Sequence, residues 1–137
     1  MNNPANEMSG IGYLVVKVST ARGALPLENA RVSIRGSEKE NSGITLSLPT
    51  NSAGLTEKVS LPAPPRVLSE SPSIVIPYAL YNIDVFLDGY SDLHFNDVAV
   101  FDSVTSIQPA IMIPLADNRF TDNYDPNADA SPDDRNR

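Results

Sequence analysis

The sequence predicts an all-β protein: a seven-stranded β-sandwich made of two sheets. Three observations lead to this prediction. Apolar and polar residues alternate in seven short segments, clusters of Gly, Pro, Asn and Ser separate these segments, and no stretch has the 3.6-residue apolar period of a capped helix. Short strands without a helical layer can bury their apolar faces by packing one sheet against another.

The first four segments cover 13–20, 30–35, 44–48 and 55–61. In the first three, alternate positions form an apolar face, which consists of Leu14, Val16, Val18, Ala30, Val32, Ile34, Ile44, Leu46 and Leu48. In the fourth, Glu57 falls on the apolar side with Val59, which predicts a bulge or an edge position instead of a buried charge.

The last three segments follow a proline-rich connection and cover 80–87, 94–101 and 107–115. Their apolar faces are expected to carry Tyr81, Ile83, Val85 and Leu87, then Val98 and Val100, then Ile107, Ile111, Ile113 and Leu115. Proline cannot donate to a β-ladder, so Pro109 and Pro114 predict that the seventh strand lies at a sheet edge.

Composition divides the chain into a flexible N-terminus (1–11), the sandwich domain (12–116) and an acidic, disordered tail (117–137). The net charge of -7 argues against nucleic acid and anionic membranes as partners. The sequence has no cysteine for disulfides or thiolate chemistry, and no apolar run long enough to cross a bilayer. No secretion signal is recognisable at the N-terminus, so a soluble, cytoplasmic protein is expected.

Several motifs carry a family resemblance. They are Gly12 to Val16, Ala24 to Val32, Asn51 to Gly54, Tyr81 to Val85, and Gly89 with Tyr90. Together they resemble the carboxypeptidase-regulatory-like domain, a transthyretin-like or immunoglobulin-like β-sandwich. In this resemblance they are residues of the fold, not of an active site.

A narrower resemblance extends from Gly12 to Leu115. Leu61 to Arg66, Pro77 to Tyr81, and Gln108 to Leu115 resemble the N-terminal domain of clostridial spore cortex-lytic and peptidoglycan-binding proteins. The resemblance implies an accessory module or pro-region that precedes a catalytic or wall-binding part. It therefore implies folding, docking or assembly, and not lytic activity.

The sequence predicts no catalytic, cofactor-binding or metal-binding residues. His94 is the single histidine, and one imidazole without cysteine or a second histidine does not build the usual zinc site. No serine lies in a Gly-x-Ser-x-Gly elbow. A glycosidase needs two carboxylates at a set separation, but solvated surface charge is the preferred interpretation of the acids Asp84, Asp88, Asp92, Asp97 and Asp102.

Three further segments have alternative interpretations. Asp122 to Asp129 is dense in oxygen ligands that suit calcium, although a disordered acidic tail explains the same composition. Pro62 to Arg66 is either a polyproline II ligand or, preferably, a stiff loop. The rings of Tyr78, Tyr81 and Tyr90 could stack on a sugar, but Tyr81 is expected in the core.

These observations predict a non-catalytic interaction or assembly module, accessory to spore cortex or cell-wall proteins. Its partner would be another protein, or a second copy, bound through an edge strand. The alternative is a peptidoglycan-binding or carbohydrate-binding module. A third hypothesis is a detached pro-region or fragment of a cortex-lytic enzyme. The sequence does not identify the ligand-binding residues.

Overall fold

The computed structural model describes residues 8–66 and 77–115. These ranges form two four-stranded sheets that pack face to face. The strands are β1 (Gly10–Thr20), β2 (Leu25–Pro26), β3 (Arg31–Gly36), β4 (Thr45–Pro49), β5 (Val59–Ala63), β6 (Ala79–Phe86), β7 (Leu93–Val100) and β8 (Thr105–Ile111). Two 3-10 turns, Ala21–Gly23 and Lys39–Asn41, connect strands. The predicted tail 117–137, with its candidate calcium ligands, lies outside the described residues.

Sheet A is built around β1. One edge of β1 pairs antiparallel with β5 and, further along, with β2. The other edge pairs parallel with β8, in a register that places Val15 beside Ile107 and Val18 beside Ala110. Within the described ranges β8 has no second strand neighbour, so the prediction of an edge strand is confirmed. Gly10 and Ile11, assigned by composition to the N-terminal segment, are the first residues of β1.

Sheet B has the strand order β4-β3-β6-β7, and all its pairs are antiparallel. The register between β6 and β7 shifts, because Tyr81 pairs with Val98 whereas Ile83 pairs with Phe95. The additional residue in β7 forms a bulge, where Asp97 has a φ of 60°.

The core lies between the two sheets and confirms the all-β sandwich predicted from alternation. The described residues form eight strands instead of the predicted seven, because the two-residue β2 was not expected as a strand. Every inward residue predicted for the first two segments is fully buried, and so are Tyr81, Ile83 and Val85 of β6. Tyr81 also joins the sheets through a polar contact, since its hydroxyl donates a hydrogen bond of 2.6 Å to the carbonyl of Pro62. Burial raises the pKa of the Tyr81 phenol.

Both ends of the fourth predicted strand differ from the prediction. The fourth strand begins at Val59 instead of Leu55 and continues to Ala63, so part of the predicted proline-rich connection belongs to β5. Leu55 keeps only an isolated bridge to Lys17. Glu57 lies between these two pairings and is exposed, which removes the buried charge that the longer strand would have created.

The orientation predicted for the last strand is wrong. Its isoleucines share one face as predicted, but that face points to solvent: the exposed fractions are 63% for Ile107, 47% for Ile111 and 52% for Ile113. The parallel register with β1 is the reason, because it places Ala110 beside the buried Val18 and therefore turns the even-numbered residues inward. Ala110 and Met112 fill the core instead.

Candidate functional site

The outer face of sheet A is apolar. Residues in register in parallel strands project to the same side, so the outward residues of β1 lie beside those of β8. We call this surface the isoleucine face; its members are Ile11, Tyr13, Val15, Ile107, Pro109 and Ile111. The exposed fraction of Ile11 is 49%, comparable to that of Ile111. Contiguous exposed apolar residues of this kind mark interaction sites more often than single ones do.

Charge is unevenly distributed relative to this face. The chain has 17 acidic and 10 basic residues, yet the four strands of sheet A contain no Asp or Glu, and their one charged residue is Lys17. Lys58 adds a second cation, with its Nζ 5.0 Å from the centre of the Tyr13 ring. An acidic protein therefore presents a largely apolar face, in which the one charged strand residue, Lys17, lies beside Pro109.

The edge of β8 that faces away from β1 is interrupted in its middle by Pro109. The amide of Tyr13 donates to the carbonyl of Val104, and the amide of Met112 donates to that of Ser19. Even-numbered residues of β8 thus bond to β1, and odd-numbered ones point away from it. Pro109 has no N–H to offer, and its carbonyl accepts a 2.8 Å hydrogen bond from the side chain of Gln108.

A groove of about 640 Å³ continues from the isoleucine face at the end of sheet A. Its lining residues come from the end of β1 and the turn after it, from β2, from the connection between β6 and β7, and from the end of β8 and the segment after it. They are Thr20, Ala21, Arg22, Leu25, Tyr90, Ile111, Met112, Ile113 and Pro114. In the turn, Ala21 and Arg22 have φ values of 54° and 59°, which non-glycine residues rarely adopt. Such backbone strain is found preferentially at functional sites.

The outer face of sheet B is polar. The Asp84 carboxylate accepts hydrogen bonds from Arg35 at 2.9 Å and, across β6 and β7, from Nδ1 of His94 at 2.6 Å. Burial alone would raise the pKa of Asp84, but these hydrogen bonds and the adjacent positive charge hold it below its usual range. His94 also packs edge-on against Phe86, with the ring centres 6.1 Å apart. This cluster links β3, β6 and β7, so its role is to stabilise the sheet.

The other candidate acids are not brought together. Asp88 and Asp92 are exposed, and Asp97 lies at the β7 bulge. Asp102 accepts hydrogen bonds from the backbone amides of Arg66 and Ile11, which lower the pKa of its carboxyl. Within residues 8–66 and 77–115, no group of three or more His, Cys, Asp or Glu side chains could hold a metal ion. No helix in these ranges is long and apolar enough to cross a membrane.

The three candidate tyrosines lie in different environments. Tyr81 is buried, as predicted. Tyr78 is exposed and packs edge-on against Phe101, with ring centres 5.6 Å apart. Tyr90 lines the groove. They do not form one flat platform of the kind on which a sugar ring stacks.

Two features of the site were missed from sequence. Arg22 and Leu25 lie in what reads as an ordinary turn, and their place beside Ile111 depends on the parallel pairing of β1 with β8, which joins residues far apart in the chain. The sequence signal for the orientation of β8 was Ala110, a small residue at the inner position of a strand rich in isoleucine.

Comparisons with known proteins bear on the fold. No protein-family model matches the sequence, and no curated protein matches it. Among solved structures, the chain is similar to the Bacillus anthracis TIE protein, with a TM-score of 0.52 and 13% identity over 77% of this chain and 17% of that one. It is also similar to 3-chlorocatechol 1,2-dioxygenase from Rhodococcus opacus 1CP, with a TM-score of 0.50 and 13% identity over 75% of this chain and 59% of that one.

The chain thus spans less than two thirds of either protein. At such identities the similarity extends to the β-sandwich fold alone.

Proposed function

We propose that this protein is a non-catalytic interaction module that binds another protein chain through the isoleucine face. The observation that carries the proposal is the exposure of Ile11, Ile107 and Ile111 on one side of sheet A. Covering an exposed apolar surface releases about 25 cal/mol per Å², so a partner that seats on these side chains gains affinity from them. The strands of sheet A contain no acidic residues, so a negatively charged partner meets less charge repulsion at this face.

The non-catalytic part of the proposal rests on how the reactive side chains are used. His94 and Arg35 both bind Asp84, and Asp102 binds backbone amides. These contacts stabilise the fold, and none of them leaves a base aligned with a nucleophile.

The finer proposal follows the family resemblance. A carboxypeptidase-regulatory-like module, similar to the N-terminal domain of spore cortex-lytic proteins, would act as a cytoplasmically made accessory of spore cortex or cell-wall proteins. A partner strand could also extend sheet A beside Thr105 and Ile107, where the outward backbone groups precede Pro109. The isoleucine face would then supply the side-chain contacts.

Sedimentation velocity tests the version in which the partner is a second copy. We expect self-association of the full chain between micromolar and millimolar concentration, and its loss in Ile107→Lys. Phe86→Lys is the matched control, because Phe86 is a partly exposed apolar residue on the opposite sheet. A strict monomer over this range rules out the second copy as the partner.

Affinity capture from sporulating cells then tests for a different protein partner. Capture should be lost in Ile107→Lys and kept in Phe86→Lys. If neither sedimentation nor capture depends on Ile107, the proposal is wrong.

The alternative of a carbohydrate-binding module has a separate test. After centrifugation with purified peptidoglycan, an interaction module should stay in the supernatant, whereas a wall-binding module would pellet with the peptidoglycan. Pelleting that persists in Ile107→Lys would favour the alternative.

A further inference from the structure

We infer that the groove at the end of sheet A anchors an extended peptide of the partner protein, by taking an apolar side chain next to a carboxylate. The inference rests on the proposed function and adds the chemistry of the bound segment. It starts from the continuity of two surfaces. Ile111 belongs both to the isoleucine face and to the lining of the groove, so one extended chain can contact both.

The walls of the groove select an apolar group. Leu25, Ile111 and Ile113 line it with exposed fractions of 57%, 47% and 52%. Met112, almost fully buried, also lines it. The volume of about 640 Å³ is within the usual range for ligand sites and exceeds the needs of one side chain. Burial of a leucine-sized or larger side chain here would cover apolar surface that solvent now contacts.

Arg22 selects the charge of the bound segment. It is the one charged residue in the lining of the groove. Within the described part of the chain Arg22 forms no ion pair, whereas Arg35 on sheet B does. The turn that presents Arg22 is held in shape by a 3.1 Å hydrogen bond from the amide of Ala24 to the carbonyl of Ala21. An unpaired guanidinium beside an apolar groove matches a peptide carboxylate adjacent to an apolar residue.

The geometry favours a peptide over a compact small molecule. The groove shares Ile111 with the isoleucine face, and two backbone carbonyls beside it are already used. The carbonyl of Ile113 accepts from the amide of Ser91, and the carbonyl of Met112 accepts from the hydroxyl of Thr20. Recognition therefore depends on side chains: an apolar anchor and one ion pair.

Amide NMR spectra of the ¹⁵N-labelled full chain can test this with two synthetic peptides. The probes are N-acetyl-Gly-Leu-Glu-Gly-amide and its neutral counterpart, in which Gln replaces Glu. At 50 mM salt we expect shift changes at Leu25, Ile111 and Ile113, and about three-fold tighter binding of the Glu peptide, the typical effect of one exposed ion pair. At 0.5 M salt screening should reduce this preference.

Three variants test which residues contact the peptides. Arg22→Gln should remove the preference for the Glu peptide, while Arg31→Gln, an exposed arginine on sheet B, should keep it. Leu25→Ala should weaken both peptides equally. Equal affinity of the wild-type protein for both peptides, or shift changes confined to sheet B, would overturn the inference.

These results separate the inference from the proposed function. If Ile107→Lys abolishes association while neither peptide changes the amide shifts of the groove residues, only the inference fails. If the Glu peptide binds at Arg22 while association and capture do not depend on Ile107, the proposed function fails.

Discussion

Asp84 is the residue at which three strands of sheet B meet, because its carboxylate accepts from Arg35 of β3 and His94 of β7. The pKa of Asp84 is lowered in the folded state, since these hydrogen bonds outweigh the effect of burial. A lowered pKa means that the ionised carboxylate adds stability above the ordinary aspartate pKa of about 3.9. That stability is lost as the pH falls through the lowered pKa.

Asp84→Asn tests this linkage. At pH 6 and low salt the variant should have a free energy of unfolding about 1 kcal/mol or less below wild type, because Arg35 and His94 are largely exposed. The difference should shrink as the pH is lowered toward 3. Urea unfolding at both pH values measures it, with Asp92→Asn as the control on an exposed loop. A difference that grows at acid pH would contradict the sign.

Side chains also add to the backbone hydrogen bonds at the start of β6. The amide of Leu80 donates to the Glu38 carboxylate at 3.0 Å. Its carbonyl accepts from the side-chain amide of Asn41 at 3.0 Å and from the backbone amide of Ser37 at 3.1 Å. Asn41 is buried although polar, and its Oδ1 accepts from the Glu38 amide at 2.8 Å. The segment from Glu38 to Asn41 thus fixes the start of β6 through side chains. Sequence alternation cannot reveal such contacts, because they involve loop residues.

At the scale of elements, two turns depend on glycine in different ways. Gly54 has a φ of 79°, and a Cβ there would lie 2.3 Å from the carbonyl oxygen of Val18. Gly89 has a φ of 89°, but nothing lies within 4 Å of an added Cβ. The first turn therefore requires glycine for both conformation and space, and the second for conformation alone.

Alanine substitutions should separate these two effects. Gly89→Ala should cost about 1 kcal/mol, the conformational penalty of a left-handed residue. Gly54→Ala should cost clearly more, because the Val18 backbone would have to move. Gly43→Ala is the control, since its Cβ meets nothing within 4 Å and its φ is not positive. Thermal or urea unfolding of the three variants gives the order. Equal losses at Gly54 and Gly89 would contradict the steric argument.

The orientation of β8 is the element-scale result with the greatest effect on function. Ile107→Thr should change the free energy of unfolding by no more than about 0.5 kcal/mol, because Ile107 is mostly exposed. Met112→Ala should cost about 2 to 4 kcal/mol, because it empties a core position. Chemical denaturation of both variants distinguishes the two faces. The reverse order of costs would place the isoleucines in the core.

How much of the fold the sequence could predict depends on the kind of strand. β3 has valine and isoleucine inside and polar residues outside, and in β1 and β6 the polar residues Lys17, Asn82 and Asp84 mark the outer face, so alternation identifies both strand and face. In β8 the more apolar face is the exposed one, and alternation identifies the strand but inverts the face. The groove was beyond prediction because Arg22 and Ile111 meet only through parallel pairing of the first and last strands.

At the scale of the whole molecule, charge and apolar surface are segregated. In the described strands the acids Asp84 and Asp97 belong to sheet B, while the isoleucine face belongs to sheet A. The net charge of -7 keeps copies apart except where a face lacks acids. Association through sheet A is therefore compatible with an acidic chain.

The core of the whole molecule also indicates which parts of the chain are needed for folding. The strands that enclose the core begin at Gly10 and end at Ile111, and Met112 completes the apolar packing. The composition of 117–137 predicts little apolar burial, because its large apolar side chains are Phe120 and Tyr124. Ordering a residue costs roughly 1 to 2 kcal/mol of backbone entropy, which such a segment cannot offset.

Two truncations test this boundary. A chain that ends at Ala116 should keep its thermal midpoint within a few degrees of the full chain, equivalent to a change of about 1 kcal/mol. A chain that ends at Val104 loses β8, its ladder to β1 and the core residues Ala110 and Met112, and should not unfold cooperatively. Calorimetry with and without calcium measures both. A large loss on removing 117–137 would mean that the tail contributes to the folded domain, and a loss seen only with calcium would favour the cation-binding interpretation of Asp122 to Asp129.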